Sequence, residues 1–212
     1  MRGETTCPRC GRELRPPNVW SSDWDCPVHG PVLPLQPITK PSIDLVDYVG
    51  RRALVPLWVP WPLPPGWLVT GIAHAGDERT GIRAAAVACS GPNPLGGAGE
   101  MVLIAEEPGV GLGARYGGLD SPDPGVGFGL GPPSAKIEVA GHPAPLWVVD
   151  GKPGRAVFVG EARGLWLWAV FWPDTAGHLV AENLILADMR ELGAETEMVP
   201  FGALSPRLTE LE

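Results

Sequence analysis

From Trp67 onward the apolar residues fall into short runs separated by turn formers, the pattern of β-strands rather than of helices. Trp67–His74, Ala84–Cys89 and Met101–Ala105 form a first group of predicted strands. Lys136–Ala140, Pro145–Val149, Arg155–Val159 and Leu165–Trp172 form a second, with Asp150-Gly-Lys-Pro-Gly154 reading as a hairpin connection. In the last run both alternating faces are apolar: Trp166, Trp168, Val170 and Trp172 on one, Leu165, Leu167, Ala169 and Phe171 on the other. Such a strand belongs at the centre of a sheet that is covered on both sides. Pro173 stops it. Glu182–Leu192 reads as a helix closed by Gly193, with Leu184, Ile185, Met189 and Leu192 facing the sheet. Strands followed by a C-terminal covering helix predict an α+β fold with a mostly antiparallel sheet.

Before Trp67 the alternation is lost. Ser42 is a fitting N-cap for one or two helical turns through Gly50. Val55–Trp67 then carries five prolines in thirteen residues, which forbids a helix interior or a central strand and favours polyproline II. Trp58, Trp61 and Trp67 give this stretch broad apolar area. They are candidate contacts for a ligand or partner, but three indoles are costly to leave in water, so packing along the main domain is the simpler expectation. The expected organisation is a small N-terminal ribbon over residues 1–36, a Pro/Trp-rich connector over 37–66, and a sheet-plus-helix domain over 67–212.

The strongest chemical pattern lies in the first segment. Cys7-Pro-Arg-Cys10-Gly11 is answered by Cys26-Pro-Val-His29-Gly30, two pairs of metal-ligand residues with the same spacing and the same turn residues. Pro fixes φ inside each turn, and Gly accepts the positive φ needed to leave it. Cys7, Cys10, Cys26 and His29 are therefore expected to form a zinc ribbon, with Zn²⁺ in a closed structural shell of three thiolates and one imidazole. The backbone N–H groups of such turns are expected to point at the thiolates. The few apolar residues nearby cannot bury enough surface to hold so short a segment without a staple.

Composition narrows the setting. Glycine and proline are abundant at 29 and 26, yet 44% hydrophobic residues and nine tryptophans argue for a packed, loop-rich domain over a disordered chain. Net charge is −8, and all of the negative excess falls after residue 40, so broad nucleic-acid binding is disfavoured. Only Arg9, Arg12 and Arg15 on the ribbon offer a local basic contact. No basic start followed by an apolar run reads as a secretory signal, and no apolar stretch is long enough to span a membrane. With three thiolates assigned to a metal and Cys89 alone in an apolar run, a reducing cytoplasm is the expected location.

Catalytic patterns are weak. Gly109-Val-Gly-Leu-Gly113 resembles a phosphate loop but lacks the Lys-Ser/Thr ending of one, and it opens a Gly/Pro-rich stretch to Gly131 that reads as a flexible loop or lid. Arg115 within it is a candidate anion contact. His74, His142 and His178 lie far apart, and neighbours such as Glu106 and Glu107 at a strand end point apart. No nucleophile elbow is present.

Several motifs together resemble a known family. Met1-Arg-Gly-Glu4, Cys7-Pro-Arg-Cys10, Trp24-Asp-Cys-Pro-Val-His-Gly30, Pro34-Leu-Gln-Pro37, Pro60-Trp-Pro-Leu-Pro64, Ala88-Cys-Ser-Gly-Pro92 and Gly202-Ala-Leu-Ser-Pro-Arg207 are similar to an uncharacterised family of actinobacterial proteins. The resemblance runs along essentially the whole chain and implies a cytoplasmic zinc-ribbon protein. Such sequences also carry a phosphotransacetylase label, which would imply an enzyme acting on a small phosphorylated or acyl substrate. Leu63-Pro-Pro-Gly-Trp67, Gly141-His-Pro-Ala144 and the strand at 167–169 are similar to sheet domains of anti-sigma-associated and lipoprotein-carrier-like proteins, which bears on the fold. The expected function is non-enzymatic binding or scaffolding, with a protein partner or a small apolar ligand. The alternatives are the enzyme just described and a regulator touching nucleic acid through the ribbon.

Overall fold

The structure, a computed structural model, describes residues 4–182 and 184–209. Met1, Arg2 and Gly3 of the opening motif, and Asn183 of the expected helix, lie outside the described residues. The chain begins with a small ribbon, β1 (Trp24–Cys26) paired antiparallel with β2 (Gly30–Val32). Helix α1 (Ile43–Gly50) follows, its N-cap Ser42 hydroxyl accepting the Leu45 N–H at 3.2 Å. Next come β3 (Trp58–Pro60), β4 (Leu68–Asp77), β5 (Gly81–Pro92) and β6 (Ala98–Glu106), then α2 (Leu112–Gly117). The chain continues through β7 (Ala135–Val139), β8 (His142–Val149), β9 (Ala156–Ala162), β10 (Leu165–Trp172) and β11 (Ile185–Asp188) to the short helix α3 (Pro206–Thr209).

Among the described residues β3 to β11 form one sheet in the order β3-β11-β7-β8-β9-β10-β6-β5-β4. Every neighbouring pair is antiparallel except β11 and β7, which run parallel. The seven strands predicted from alternation all form, and the 150–154 turn joins β8 to β9. The doubly apolar β10 lies between β9 and β6, with residues 167–171 fully buried. The sheet curls so that β3 also approaches β5 and β6. The inside of the curl is filled by Leu57, Trp58, Ile72, Leu103, Phe171 and Leu186. Outside it, Leu35, Leu112, Tyr116, Trp168 and Leu208 make a second core.

Two elements differ from the sequence reading. Within the connector, Trp58–Pro60 forms an edge strand, β3, instead of polyproline II; at an edge the donor that Pro60 lacks is tolerated. The stretch read as a helix over 182–192 is β11 followed by a 3₁₀ turn, Met189–Glu191. Helical propensity loses here to tertiary pairing, because residues 185–188 bridge β3 to β7. The α+β fold stands, and its short C-terminal helix is α3. Leu208 of that helix lies against β4 at Gly71, where a Cβ would fall 2.3 Å from its Cδ1.

Asp188 locks β11 in place. Its buried carboxylate accepts from the backbone N–H of Leu57 at 3.1 Å and of Arg190 at 3.1 Å, and from the Arg190 Nη2 at 2.6 Å. Asp188→Ala strands these donors and is expected to lower stability by about 3 kcal/mol, read from the urea midpoint. A midpoint equal to wild type would contradict this role.

Candidate metal centre

The ribbon's two turns carry the ligands. The Gly11 N–H closes the first turn on the Cys7 carbonyl at 2.8 Å, and Gly11 and Gly30 leave their turns with φ of 72° and 68°. The four ligand atoms of Cys7, Cys10, Cys26 and His29 all lie within 4.8 Å of one another. His29 Nδ1 is 3.6 Å from the sulfurs of both Cys7 and Cys26, and the Cys10 and Cys26 sulfurs are 3.7 Å apart. A disulfide requires about 2.05 Å, so the cysteines are free, and the four residues are close enough together to hold a metal ion. Cys7 and Cys26 are buried and Cys10 is exposed.

Amides point at the sulfurs as the turn geometry requires. Burial pushes the Cys7 thiol up to about 12, against the lowering effect of the Arg9 and Cys10 N–H groups. At Cys26 burial also acts upward, but the Val28 and His29 N–H groups and the His29 ring hold the thiol down at about 6. A cation bound here therefore replaces at least the Cys7 proton.

The ribbon is docked on the sheet domain. Trp24 Nε1 donates to Asp77 at 3.0 Å, and the Leu35 and Gln36 backbone extends beside β4. Arg9 donates from Nε to the Val110 carbonyl at 3.2 Å and from Nη2 to the Gly109 carbonyl. Arg115 donates from Nη1 to the Cys7 carbonyl at 3.1 Å. Arg15 pairs with Asp25, and Arg12 is exposed. The three ribbon arginines thus point to different surroundings.

The glycine-rich segment is held by carboxylates of the chain itself. Glu106, fully buried at the end of β6, accepts the Leu112 N–H at 2.7 Å and the Gly113 N–H at 3.1 Å. Asp123 accepts the Gly109 N–H at 2.8 Å and the Trp166 indole N–H at 2.9 Å. Two internal carboxyl groups therefore occupy the amides that would face a phosphate. Gly113 must be glycine for contact: a Cβ there would fall 2.3 Å from the Trp168 ring. Farther along, Phe128 packs edge-on between Trp147 and Trp166 at 5.3 and 5.1 Å, anchoring the stretch read as a lid. Glu106 was legible in the sequence only as half of an adjacent acidic pair; Glu107 turns away to Arg83 at 3.0 Å.

The remaining candidates are dispersed. Trp58 is buried in the inner core beneath the Arg163 guanidinium. Trp61 donates its indole N–H to Glu195 at 2.6 Å, and Trp67 donates to the Pro92 carbonyl at 3.1 Å. With Arg115 on the Cys7 carbonyl, these four side chains share no site. Cys89 is fully buried, and burial raises its thiol to about 12. Burial lowers His74 to about 4, so it packs as a neutral ring. Among the described residues no helix is long and apolar enough to cross a membrane.

The chain belongs to a family of unknown function, DUF6758, whose model matches residues 1–208. No curated protein and no solved structure matches it.

Burial raises the Glu106 carboxyl to about 8, ahead of the opposing pull of the Leu112 and Gly113 amides. The folded chain then holds a proton between the unfolded carboxylate range and about 8 that the unfolded chain has released. Stability from this group is full at low pH and is lost as pH rises through that window. Glu106→Gln removes the titration, so wild type is expected to lose urea resistance between pH 5 and 8.5 more steeply than the variant. Parallel pH profiles would refute the assignment.

Proposed function

We propose that this member of the DUF6758 family is a non-enzymatic docking protein in which a structural zinc ion braces a partner-facing ribbon. A tetrahedral zinc with bonds of about 2.3 Å to sulfur and about 2.0–2.1 Å to nitrogen sets its ligands roughly 3.5–3.8 Å apart. The spacings of 3.6, 3.6 and 3.7 Å in the cluster support that ion and that geometry. Three thiolates and an imidazole complete its shell, which leaves no position for water or substrate and makes the role structural.

The observation that carries the docking reading is the ribbon's tip. Val19 and Trp20 are 91% and 92% exposed, well above the other tryptophans of the chain. The turn that presents them is pre-organised: Asn18 Oδ1 accepts the Trp20 N–H at 2.8 Å and the Ser21 N–H at 3.2 Å. An indole held in water on a rigid turn is an anchor for an apolar pocket on another surface. The surrounding charges are balanced within the protein, Arg15 with Asp25 and Arg79 with Asp23, which favours a protein surface over a polyanion. A protein partner also suits the filled inner core better than a small apolar ligand does.

Native mass spectrometry of protein purified without chelators is expected to show one zinc per chain. Occupancy should fall as pH drops, because protons compete for the thiolates and the imidazole. Cys26→Ser should lose the ion, and equal metal content in the two proteins would defeat the zinc reading. Trp20→Ala should keep zinc content and thermal midpoint while abolishing the co-purifying partner of the wild type. Retention of that partner by the variant would defeat the docking reading.

A further inference from the structure

The metal cluster is tied to the segment that the sequence singled out as a glycine-rich loop. Arg115 of α2 reaches the ribbon, donating to the Cys7 carbonyl at 3.1 Å. Its guanidinium also covers Gly11, where a Cβ would fall 2.3 Å from Nη2. Arg9, between ligands Cys7 and Cys10, reaches the opposite way, to the carbonyls of Gly109 and Val110. Gly111 accepts that crossing closely, since a Cβ there would fall 2.8 Å from Arg9 Cγ. Two arginines of opposite ownership thus clasp the knuckle to the loop.

The charge arrangement is as specific as the contacts. Arg115 is half-buried and, among the described residues, has no carboxylate within ion-pair distance. Its surroundings on the ribbon side are the Cys7 carbonyl and Gly11, at either end of the knuckle that carries ligands Cys7 and Cys10. A partly desolvated cation needs a nearby countercharge. Three thiolates, a neutral imidazole and a divalent ion together carry one net negative charge, which the guanidinium balances across the knuckle. Outer partners of metal ligands commonly orient those ligands and tune affinity in this way.

We propose that Arg115 is a positioning residue of the metal centre, holding the Cys7–Gly11 knuckle by the Cys7 carbonyl and balancing its charge, so that metal occupancy and docking of the knuckle on residues 109–117 are coupled. The inference rests on the metal-binding reading above. Loading the ion orders the knuckle that Arg115 grips, and the grip in turn favours the loaded cluster. Neither Glu106 nor Asp123, which hold the same segment from beneath, touches the ribbon in this way, so their part of the loop's order is independent of the ion.

The test is zinc affinity by competition with a chromophoric chelator, together with hydrogen exchange of residues 107–118 in the full chain, zinc-loaded and stripped. In wild type, stripping should speed exchange in that segment. Arg115→Gln should weaken zinc binding by about 10- to 100-fold, the range for outer-sphere partners. Its 107–118 exchange should no longer respond to zinc. Arg115→Lys, which keeps the charge but loses the planar contact on Gly11, should fall between the two and serves if the glutamine variant does not fold. Wild-type affinity in Arg115→Gln, or an undiminished exchange response, overturns the coupling while leaving the metal reading intact. A wild type that takes up no zinc overturns both.

Discussion

Strands β5, β6 and β10 are apolar on both faces, so the chain must keep water from two sides of one sheet. This double burial is the constraint from which the architecture follows. Ala85, Val87, Met101, Leu103, Leu167 and Phe171 face the inside, while Ala84, Ala86, Val102, Ile104, Trp168 and Val170 face out. At about 25 cal/mol per Å² of apolar surface, each buried large side chain contributes roughly 1.5–3 kcal/mol, and the central strands hold many of them. The inner face is closed by the sheet itself, which curls until β3 meets β5 and β6. Among the described residues the outer face has no second large sheet over it.

The outer cover is assembled from short pieces, which explains the prolines and glycines. Segment 33–39, α2, the stretch anchored by Phe128, and α3 each cover part of it. None is long enough to be stable alone, so each is fastened by polar bonds to backbone or by a close approach that only glycine permits. Glu106 and Asp123 fasten the loop from beneath, and Arg9 and Arg115 fasten it from above. The ribbon is part of this cover, and its tip at Trp20 is exposed.

A metal fits this design physically. Among the described residues the ribbon's own buried core is Cys7, Leu14 and Cys26, with Trp24 and Val32 packed against it. That is far too little apolar surface to order thirty residues, whereas structural zinc contributes apparent binding energies of about 10–16 kcal/mol in comparable peptides. The turn that carries the exposed Trp20 is itself held by the Asn18 side chain, which accepts the Trp20 and Ser21 N–H groups.

The sequence by itself determined the seven main strands, the central place of β10 and the four clustered ligands. These are local statements: alternation reports which faces must be buried, and the spacing of Cys, Pro, His and Gly reports a turn that converges two side chains. It did not reveal β11, because Ile185–Asp188 is too short to show a period, and its pairing with β3 joins residues about 130 positions apart. It did not reveal the role of Glu106 either, since an acidic residue at a strand end is solvated unless a later turn lays amides over it. Arg115 read as an anion contact because its charge was visible and its neighbour was not: the Cys7 carbonyl that it grips lies 108 residues earlier. Only the tertiary structure decides such pairings, because the free energy of a polar group depends on what surrounds it, and that is set by distant segments of the chain.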